Sequence, residues 1–361
     1  MTSNVNTILD ALFIHSLTKS DNQKTISSFN SLVAESSELY LNELTHNHEG
    51  QLHNSLRPIG ADGCLHLSNA LVLSNAPFLK ILNLGFNNIT DEGLQHLSRF
   101  IHKSQTLEEL DLVDNNITHI GMNEFATALI NNKSLKTLVL SRNELSDEGI
   151  TLLANSLKTT QLETLAIDAT GILLEGMISI SEFIANHRYI RALDLSLNSI
   201  DDEAVTYLAK SIEYHPCILE IDLLSNSISD EGAIQLANSL KTNKSLRTLV
   251  LEENLIGDLG AISFANSISV NTTLTDLRLC DNLITQSGAK ALLDSIKLNQ
   301  SVQLDRLRNP DYSYPELLAI DDQVLSELYI QSKQNFQNRK NVSCTLQLMH
   351  VSRKLLLLRK I

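Results

Sequence analysis

Residues 79–93 read LKILNLGFNNITDEG, and this stretch decides the fold. The same frame restarts seven times along the chain, at Leu107, Leu135, Leu162, Ile190, Ile218, Leu246 and Leu274. Each step is 28 residues, except for a step of 27 between the third and fourth repeats. A fixed period of about 20 to 50 residues is typical of solenoids, in which stacked neighbours bury a core that no single repeat can bury alone.

Several positions of the repeat have a clear physical role. Positions four and six, such as Leu82 and Leu84, alternate along a short strand and are expected to point into the core. Position nine is an asparagine whose amide can bond backbone groups where the chain leaves the strand. Repeat four has Thr170 there, which keeps only part of that capacity. The predicted ladder consists of Asn87, Asn115, Asn143, Asn198, Asn226, Asn254 and Asn282.

The helix of each repeat begins with a shared signal. Position twelve is predicted to be the helix N-cap, because it is mostly Ser, Thr or Asp. Asp-Glu commonly follows, which is favourable near the positive end of the helix dipole. Position fifteen is Gly or Ala, and we expect this small residue to let the helix lie close to the strand layer. The predicted N-caps are Thr90, Thr118, Ser146, Asp201, Ser229 and Thr285.

These features together resemble the ribonuclease-inhibitor-like class of leucine-rich repeats, over about residues 60–310. That class includes ribonuclease inhibitor, the Ran GTPase-activating protein and the repeats of NOD-like receptors. The Asn- and Ile-rich usage is most similar in style to leucine-rich-repeat effectors of intracellular bacteria. The resemblance implies an α/β leucine-rich-repeat solenoid, a horseshoe of ~28-residue strand–helix repeats. We expect a parallel sheet on the concave face, helices on the convex face and helical caps at both ends.

The sequence divides into three regions. Residues 1–58 are predicted to be an N-terminal helical cap with a degenerate first repeat strand near 38–44, residues 59–310 the repeat array, and residues 311–361 a C-terminal helical cap and basic tail. A partial strand at 302–307 is expected to end the array. Pro315 suits the first turn of a helix that runs to Ile330. The basic, apolar residues 353–361 fit a cap, an amphipathic membrane anchor or a C-terminal secretion signal.

Charge is distributed unevenly along the chain. The net charge is −14, yet residues 331–361 contain seven Lys or Arg and no acid, which leaves 21 basic and 42 acidic residues in the body. Phosphate would be repelled by such a body, so nucleic acid is not an expected ligand. A basic protein partner is favoured instead.

Positions three, five, seven and eight of each repeat are predicted to face the concave surface. These 32 positions hold eleven acids and two bases. The acids could simply keep the surface solvated, but they cluster on adjacent strands and alternate with apolar residues, as interfaces do. The predicted partner-binding residues are Phe86, Glu109, Asp111, Asp114, Arg142, Asp168, Asp194, Leu197, Glu220, Asp222, Leu224, Glu252, Glu253, Asp276, Arg278 and Asp281.

No motif supports catalysis. Paired acids such as Glu252-Glu253 arise freely on repeat faces, and Cys280 and Cys344 have no base nearby in sequence. No phosphate-binding loop is present. The five metal-ligand types His46, His48, His53, Cys64 and His66 match no zinc spacing. We therefore expect a non-enzymatic protein with no catalytic residue, no metal and no cofactor.

The four scattered cysteines and the absence of an apolar leader favour a cytoplasmic-type soluble protein. We expect it to be a monomer. The effector resemblance implies delivery into a host cytosol by a signal-peptide-independent secretion system. Two alternatives remain at this point. One is an activator or regulator of a small GTPase, resembling the Ran GTPase-activating protein, with Arg142 as its candidate base. The other is a membrane-tethered adaptor that contacts the bilayer only through the basic tail.

Overall fold

The computed structural model describes residues 37–41, 45–46, 52–53, 58–74, 76–130, 132–299, 301–304, 320 and 322–337. In chain order the strands are β1 (Glu38–Tyr40), β2 (Thr45–His46), β3 (Leu52–His53), β4 (Ile81–Asn83), β5 (Glu109–Asp111), β6 (Thr137–Val139), β7 (Thr164–Ala166), β8 (Ala192–Asp194), β9 (Glu220–Asp222), β10 (Thr248–Val250), β11 (Asp276–Arg278) and β12 (Gln303–Leu304). The helices are α1 (Gly60–Ser74), α2 (Thr90–Lys103), α3 (His119–Leu129), α4 (Ser146–Leu157), α5 (Leu174–Asn186), α6 (Asp202–Ile212), α7 (Asp230–Thr242), α8 (Asp258–Ile268), α9 (Gln286–Leu298) and α10 (Asp322–Gln337).

Ten of these strands form a single parallel sheet in the order β1-β4-β5-β6-β7-β8-β9-β10-β11-β12. Equivalent repeat positions lie side by side, as Ala192, Glu220 and Thr248 do across β8, β9 and β10. The two remaining strands, β2 and β3, make a short antiparallel hairpin between β1 and α1. Strands that alternate with helices in one open parallel sheet confirm the predicted α/β solenoid.

The core lies between the sheet and the helices. Leu82 and Leu84 are fully buried, and one apolar cluster extends from Leu39 to Leu328. Leu, Ile, Val and Ala supply most of it, and Phe125 and Phe183 are among its largest fully buried side chains. The helices pack against one another in chain order, so each repeat covers the open side of the previous one.

The position-nine asparagines connect neighbouring repeats. Asn226 is representative: its Nδ2 donates to the carbonyls of Leu195 and Leu223, each at 3.1 Å, and its Oδ1 accepts from the Ile200 amide at 3.0 Å. Thr170 makes a smaller contribution, since its hydroxyl has a single proton, which it donates to the Ile167 carbonyl at 2.8 Å. Each asparagine thus satisfies backbone groups of two repeats at once.

A second set of polar side chains lies where the helices return to the strands. Asn243 donates to the Ile212 carbonyl at 2.7 Å and accepts from the Leu246 amide at 2.7 Å. Histidine replaces asparagine in two successive repeats. The Ile218 amide donates to His215 Nδ1 at 3.0 Å, so Nε2 carries the proton and donates to the His187 carbonyl at 2.8 Å.

Carboxylates at position thirteen bond the next helix along the chain, which the dipole argument did not anticipate. Asp230 Oδ1 accepts from the amides of Gly257 and Gly260, each at 2.8 Å. Asp258 Oδ1 accepts from the amides of Thr285 and Gly288 at 2.8 and 3.0 Å. Asp91, Asp147 and Asp202 likewise accept hydrogen bonds from the following repeat.

The predicted N-caps are partly wrong. Thr118, Asp201 and Ser229 accept a hydrogen bond from the first turn of their helix, as expected. Thr285 lies at the N-cap but accepts no such bond, and its hydroxyl donates to Asp258. Thr90 adopts a left-handed conformation with φ of 62°. Ser146 has φ of 55°, and both are the first residue of their helix, so neither is a cap.

The explanation of the small residue at position fifteen also needs correction. A Cβ on Gly232 would lie 2.6 Å from Asp202 Oδ1 and 2.6 Å from Val205 Cγ1. The close neighbour is therefore the preceding helix, not the strand layer. Among the eight repeats, only Ala204 has a Cβ at position fifteen. In the repeat before it, position thirteen is Leu174 instead of an aspartate.

The ends differ in detail from the prediction. Strand β1 lies within the segment expected to contain it, and α1 begins at Gly60, next to the expected start of the array at residue 59. Residues 315–319 of the helix expected from Pro315 lie outside the described residues. Ile320 is not helical, and helix α10 runs from Asp322 to Gln337, beyond the expected end at Ile330. The cap helices expected within residues 1–36 and the tail at 338–361 lie outside the described residues. In the part of the chain that is described, no helix is long and apolar enough to cross a bilayer.

Candidate protein-interaction surface

The concave face is formed by positions three, five, seven and eight of the eight repeats that begin at Leu79. Positions three and five lie on β4 to β11, and their side chains alternate with the buried position four. Positions seven and eight lie in the turn that follows each strand. The ten-stranded sheet gives this face an arc of about 43 Å, from a strand spacing of about 4.8 Å.

Position eight is left-handed in every repeat. The φ angles are 62° at Phe86, 53° at Asp114, 59° at Arg142, 51° at Ala169, 56° at Leu197, 53° at Ser225, 54° at Glu253 and 55° at Asp281. Non-glycine residues rarely adopt this conformation. The turn thus holds a strained residue at the rim of the face, once in each repeat.

Three of the predicted acids have a local structural role. The carboxylates of Asp111, Asp194 and Asp222 each accept a hydrogen bond from the amide two residues further on, at 3.0, 3.0 and 2.9 Å. Asp111 Oδ2 also accepts from Asn83 Nδ2 at 2.8 Å. An Asx turn of this kind could have been recognised from the acid at position five.

Both predicted bases are paired with acids of the same face. Arg142 Nε lies 3.0 Å from Asp114 Oδ2. Arg278 donates to Asp276 Oδ2 through Nε at 3.2 Å and Nη2 at 3.1 Å. The bases therefore interact with carboxylates of their own face instead of providing a separate positive patch.

Four acids at the centre of the face are buried: Asp168, Asp194, Glu220 and Asp222 have 6 %, 9 %, 9 % and 6 % of their surface exposed. Burial raises the pKa of Asp168, and the neighbouring Asp194 carboxylate raises it further. Burial is also the main cause that raises the pKa of Glu220. Burial disfavours the charged form of a carboxyl group, so these acids lie where their charge is costly.

The same effect extends toward the N-terminal strands. Burial raises the pKa of Asp111 to about 6. Burial, followed by repulsion from Glu38, raises the pKa of Glu109. Glu38 and the 44 %-exposed Tyr40 belong to β1 and were not among the predicted site residues. Strand β1 pairs with β4, and this pairing brings both residues onto the surface. Paired residues of the two strands are 43 positions apart in the sequence, a spacing that differs from the regular repeat.

The other predicted residues line the rim and the turns. Phe86, Leu197, Leu224, Glu252 and Asp281 are half-buried, and Glu253 is exposed. These six side chains are therefore at least partly accessible to solvent.

Two of the cysteines considered for metal or nucleophilic chemistry are buried. Cys64 is fully buried, and burial raises the pKa of its thiol to about 12. Cys280 is also buried. Within the described residues, no group of three or more His, Cys, Asp or Glu could hold a metal ion. His48 and Cys344 lie outside them.

The strand–helix units and their asparagine ladder define a leucine-rich-repeat solenoid. The Leucine Rich repeat family matches seven segments, which are residues 75–98, 103–126, 131–154, 186–209, 214–237, 242–265 and 270–293, and this chain is a leucine-rich-repeat protein. The unmatched interval, 155–185, contains most of repeat four, where Thr170 replaces the asparagine.

Solved structures include 177 chains that are similar to this one. One of them, titled leiomodin-1 actin-binding site 2, is 16 % identical to it and aligns over 52 % of this chain and 96 % of its own length, with a TM-score of 0.38. No curated protein shows significant sequence similarity to the chain.

Proposed function

We propose that this protein is a non-enzymatic interaction scaffold whose concave face binds a basic protein partner. The observation that carries the proposal is the row of buried acids at Asp168, Asp194, Glu220 and Asp222, on the outward side of the central strands or directly after them. Carboxylates used only for solubility would be exposed. Buried carboxylates lower the stability of the unbound protein, and a cationic partner would offset that cost.

The apolar side chains of the face support the same proposal. Phe86, Leu197 and Leu224 are half-buried beside the acids, where solubility alone would not place them. Interfaces commonly combine apolar anchors with charges that set orientation and association rate. The 16 positions named in the sequence analysis are the proposed contact residues.

A capture experiment with charge-matched variants tests the scaffold. One variant neutralises four accessible acids of the concave face: Glu109, Glu252, Glu253 and Asp281. Its control neutralises four exposed acids of the helices: Glu124, Glu182, Glu203 and Glu231. Partners lost only from the first variant, with affinity that falls as salt rises, support the proposal. Equal capture by both variants would show that the concave acids are not the binding surface.

The cellular setting is a finer part of the proposal. The resemblance to the ribonuclease-inhibitor-like class and to bacterial effectors supports a monomeric protein that is delivered into a host cell. A translocation reporter fused to the full chain tests delivery, and a signal confined to the donor cell would contradict it. The GTPase alternative rests on Arg142, which is ion-paired with Asp114. A GTP-hydrolysis assay over a panel of small GTPases separates that alternative from a scaffold.

A further inference from the structure

A carboxylate oxygen without a partner lies near the middle of the concave face. Glu220 is 9 % exposed, and its Oε2 is buried and makes no hydrogen bond. Buried polar atoms nearly always have a hydrogen-bond partner, because leaving one unmade costs the full desolvation of the group. An unsatisfied carboxylate on a candidate binding face therefore indicates a position that a ligand group completes.

The strand neighbours of Glu220 have short side chains. The strand register places Ala192 on one side and Thr248 on the other, both short and uncharged. Asp194 and Asp222 lie at position five of β8 and β9, so two further carboxylates are close in the same part of the sheet. The strand neighbours of Glu220 are thus small and uncharged, and the other acids of β8 and β9 make this part of the face negative.

Arg278, whose positive charge attracts the Glu220 carboxylate, lies on the same face but is hydrogen-bonded to Asp276. Arg278 attracts the Glu220 carboxylate, while Asp276 repels it. The Nε and Nη2 of Arg278 both donate to Asp276 Oδ2. The pair leaves Glu220 Oε2 without a hydrogen bond.

We propose that Glu220 forms the base of a subsite for one arginine side chain of the protein partner, a proposal that rests on the scaffold function above. A guanidinium group is planar, always charged and weakly hydrated, so it suits a buried carboxylate better than an ammonium group does. It would donate to Glu220 Oε2 and place its positive charge between the carboxylates of β8 and β9. A divalent metal ion fits less well, because no three potential ligands converge among the described residues.

Titration with a small probe tests the subsite without an identified partner. The probe is N-acetyl-arginine amide, and its uncharged match is N-acetyl-citrulline amide, which has nearly the same shape. Binding to the full chain is followed by NMR through the methyl groups of Ala192 and Thr248, which flank Glu220. We expect shifts at both methyl groups with the arginine probe and none with the citrulline probe.

Two variants with the same change in charge complete the test. Glu220→Gln removes the proposed acceptor charge, and Glu231→Gln removes an exposed charge from the helix of the same repeat. We expect Glu220→Gln to weaken arginine binding about tenfold or more, from the strength of hydrogen bonds to charged groups. Glu231→Gln should bind like the wild type. Equal affinity of wild type and Glu220→Gln would overturn the proposal, and equal binding of N-acetyl-lysine amide would overturn the choice of arginine.

Stability provides a second readout that separates a ligand subsite from a structural role. If Glu220 serves a partner, Glu220→Gln should raise the urea midpoint at pH 7, because a buried charge is removed. If it supports the fold, the midpoint should fall. The capture experiment is independent of both readouts. If the arginine probe binds but the concave-face variant captures the same partners as its control, the scaffold alone is rejected. If the concave-face variant loses partners but the arginine probe does not bind, the subsite alone is rejected.

Discussion

Eight residues, one in each repeat, hold a backbone conformation that L-amino acids avoid. Position eight is left-handed even where it is Phe86 or Leu197, whose side chains make this conformation costly. Residue type gave little signal for it, since only Asp114 and Asp281 are of the types (Asn, Asp and Gly) that commonly adopt positive φ. The requirement comes from the turn after the strand, where the amide of Leu197 donates to the Leu224 carbonyl of the next repeat at 2.8 Å.

Replacing Ala169 with glycine should therefore stabilise the protein. Ala169 has φ of 51° and lies in the turn of repeat four, so glycine relieves strain of about 1 kcal/mol, minus part of that for its greater freedom when unfolded. Ala185→Gly, in helix α5 of the same repeat, should instead lower stability by up to about 1 kcal/mol. Urea unfolding of both variants measures the difference. A lower midpoint for Ala169→Gly would contradict the strain.

Two histidines should make stability depend on pH. Burial is the main cause that lowers the pKa of His187 and of His215, and the positive charges of Lys133 and Arg188, respectively, lower it further. Because the folded pKa lies below the ordinary value of about 6.5, the unfolded chain binds more protons below that pH. Stability is then complete above about pH 6.5 and declines as the pH falls below it.

Asparagine at both histidine positions should remove this part of the pH dependence. Asn243 shows that an amide can donate and accept at the equivalent place without titrating. Unfolding midpoints of the wild type and the double variant His187→Asn, His215→Asn should be compared at pH 8, 6 and 5. We expect the unfolding midpoint of the double variant to rise relative to that of the wild type as the pH falls toward 5. A constant gap would show that the histidines do not contribute.

At the scale of the helix, the start of each helix depends on the previous repeat. Where position thirteen of that repeat is aspartate, its carboxylate bonds the position-twelve amide of the next repeat. Where it is Ala61 or His119, the following Thr90 or Ser146 turns left-handed, and its amide bonds a carbonyl of the next repeat. A sequence pattern confined to one repeat cannot reveal this, which explains why those caps were predicted wrongly.

Asp230→Ala should destabilise the protein by about 1 to 2 kcal/mol, from the usual contribution of a helix cap. The carboxylate bonds two backbone amides of the next helix, those of Gly257 and Gly260, and alanine leaves both unsatisfied. Glu231→Ala, which removes the adjacent exposed acid, is the control and should change stability little. Urea unfolding at pH 7 gives both values. Similar losses for the two variants would argue against a specific cap.

At the scale of the molecule, repeat four is the irregular unit. It follows the one repeat of 27 residues, it has Thr170 at the asparagine position, and Leu174 replaces the carboxylate that would reach the next helix. Asn198 compensates, because its Oδ1 accepts from the amides of Thr170, Gly171 and Ile172 at 3.0, 3.0 and 3.1 Å. A single side chain thus accepts three amide hydrogen bonds of this turn, in addition to the bond that Thr170 donates to the Ile167 carbonyl.

Asn198→Ala should weaken the coupling between the two halves of the solenoid. Repeat proteins unfold as coupled neighbours, so a weak interface can separate one transition into two. Asn254→Ala, in a regular repeat, is the control and should lower stability while keeping one transition. Hydrogen exchange during urea unfolding would show which repeats open first. A single shared transition in both variants would contradict the prediction.

The period and the alternation of the strands predicted most of the architecture, because each repeat restates the same local physics. The stacking register even places Glu220 between Ala192 and Thr248. Its buried and unsatisfied Oε2 could not be predicted, since that depends on how Arg278 and Asp276 pair two strands away.

The aspartate that reaches into the next helix also limits how the array can grow or shrink by duplication and deletion of whole units. Deleting residues 218–245 would place Asp202 before Gly257 and Gly260, which keeps a carboxylate at that junction. Deleting residues 190–217 would place Leu174 before Gly232, and the amide of Gly232 would lose its acceptor. Repeats of equal length are therefore not interchangeable. The junction that a repeat forms with its new neighbour decides whether the rearranged gene encodes a stable protein.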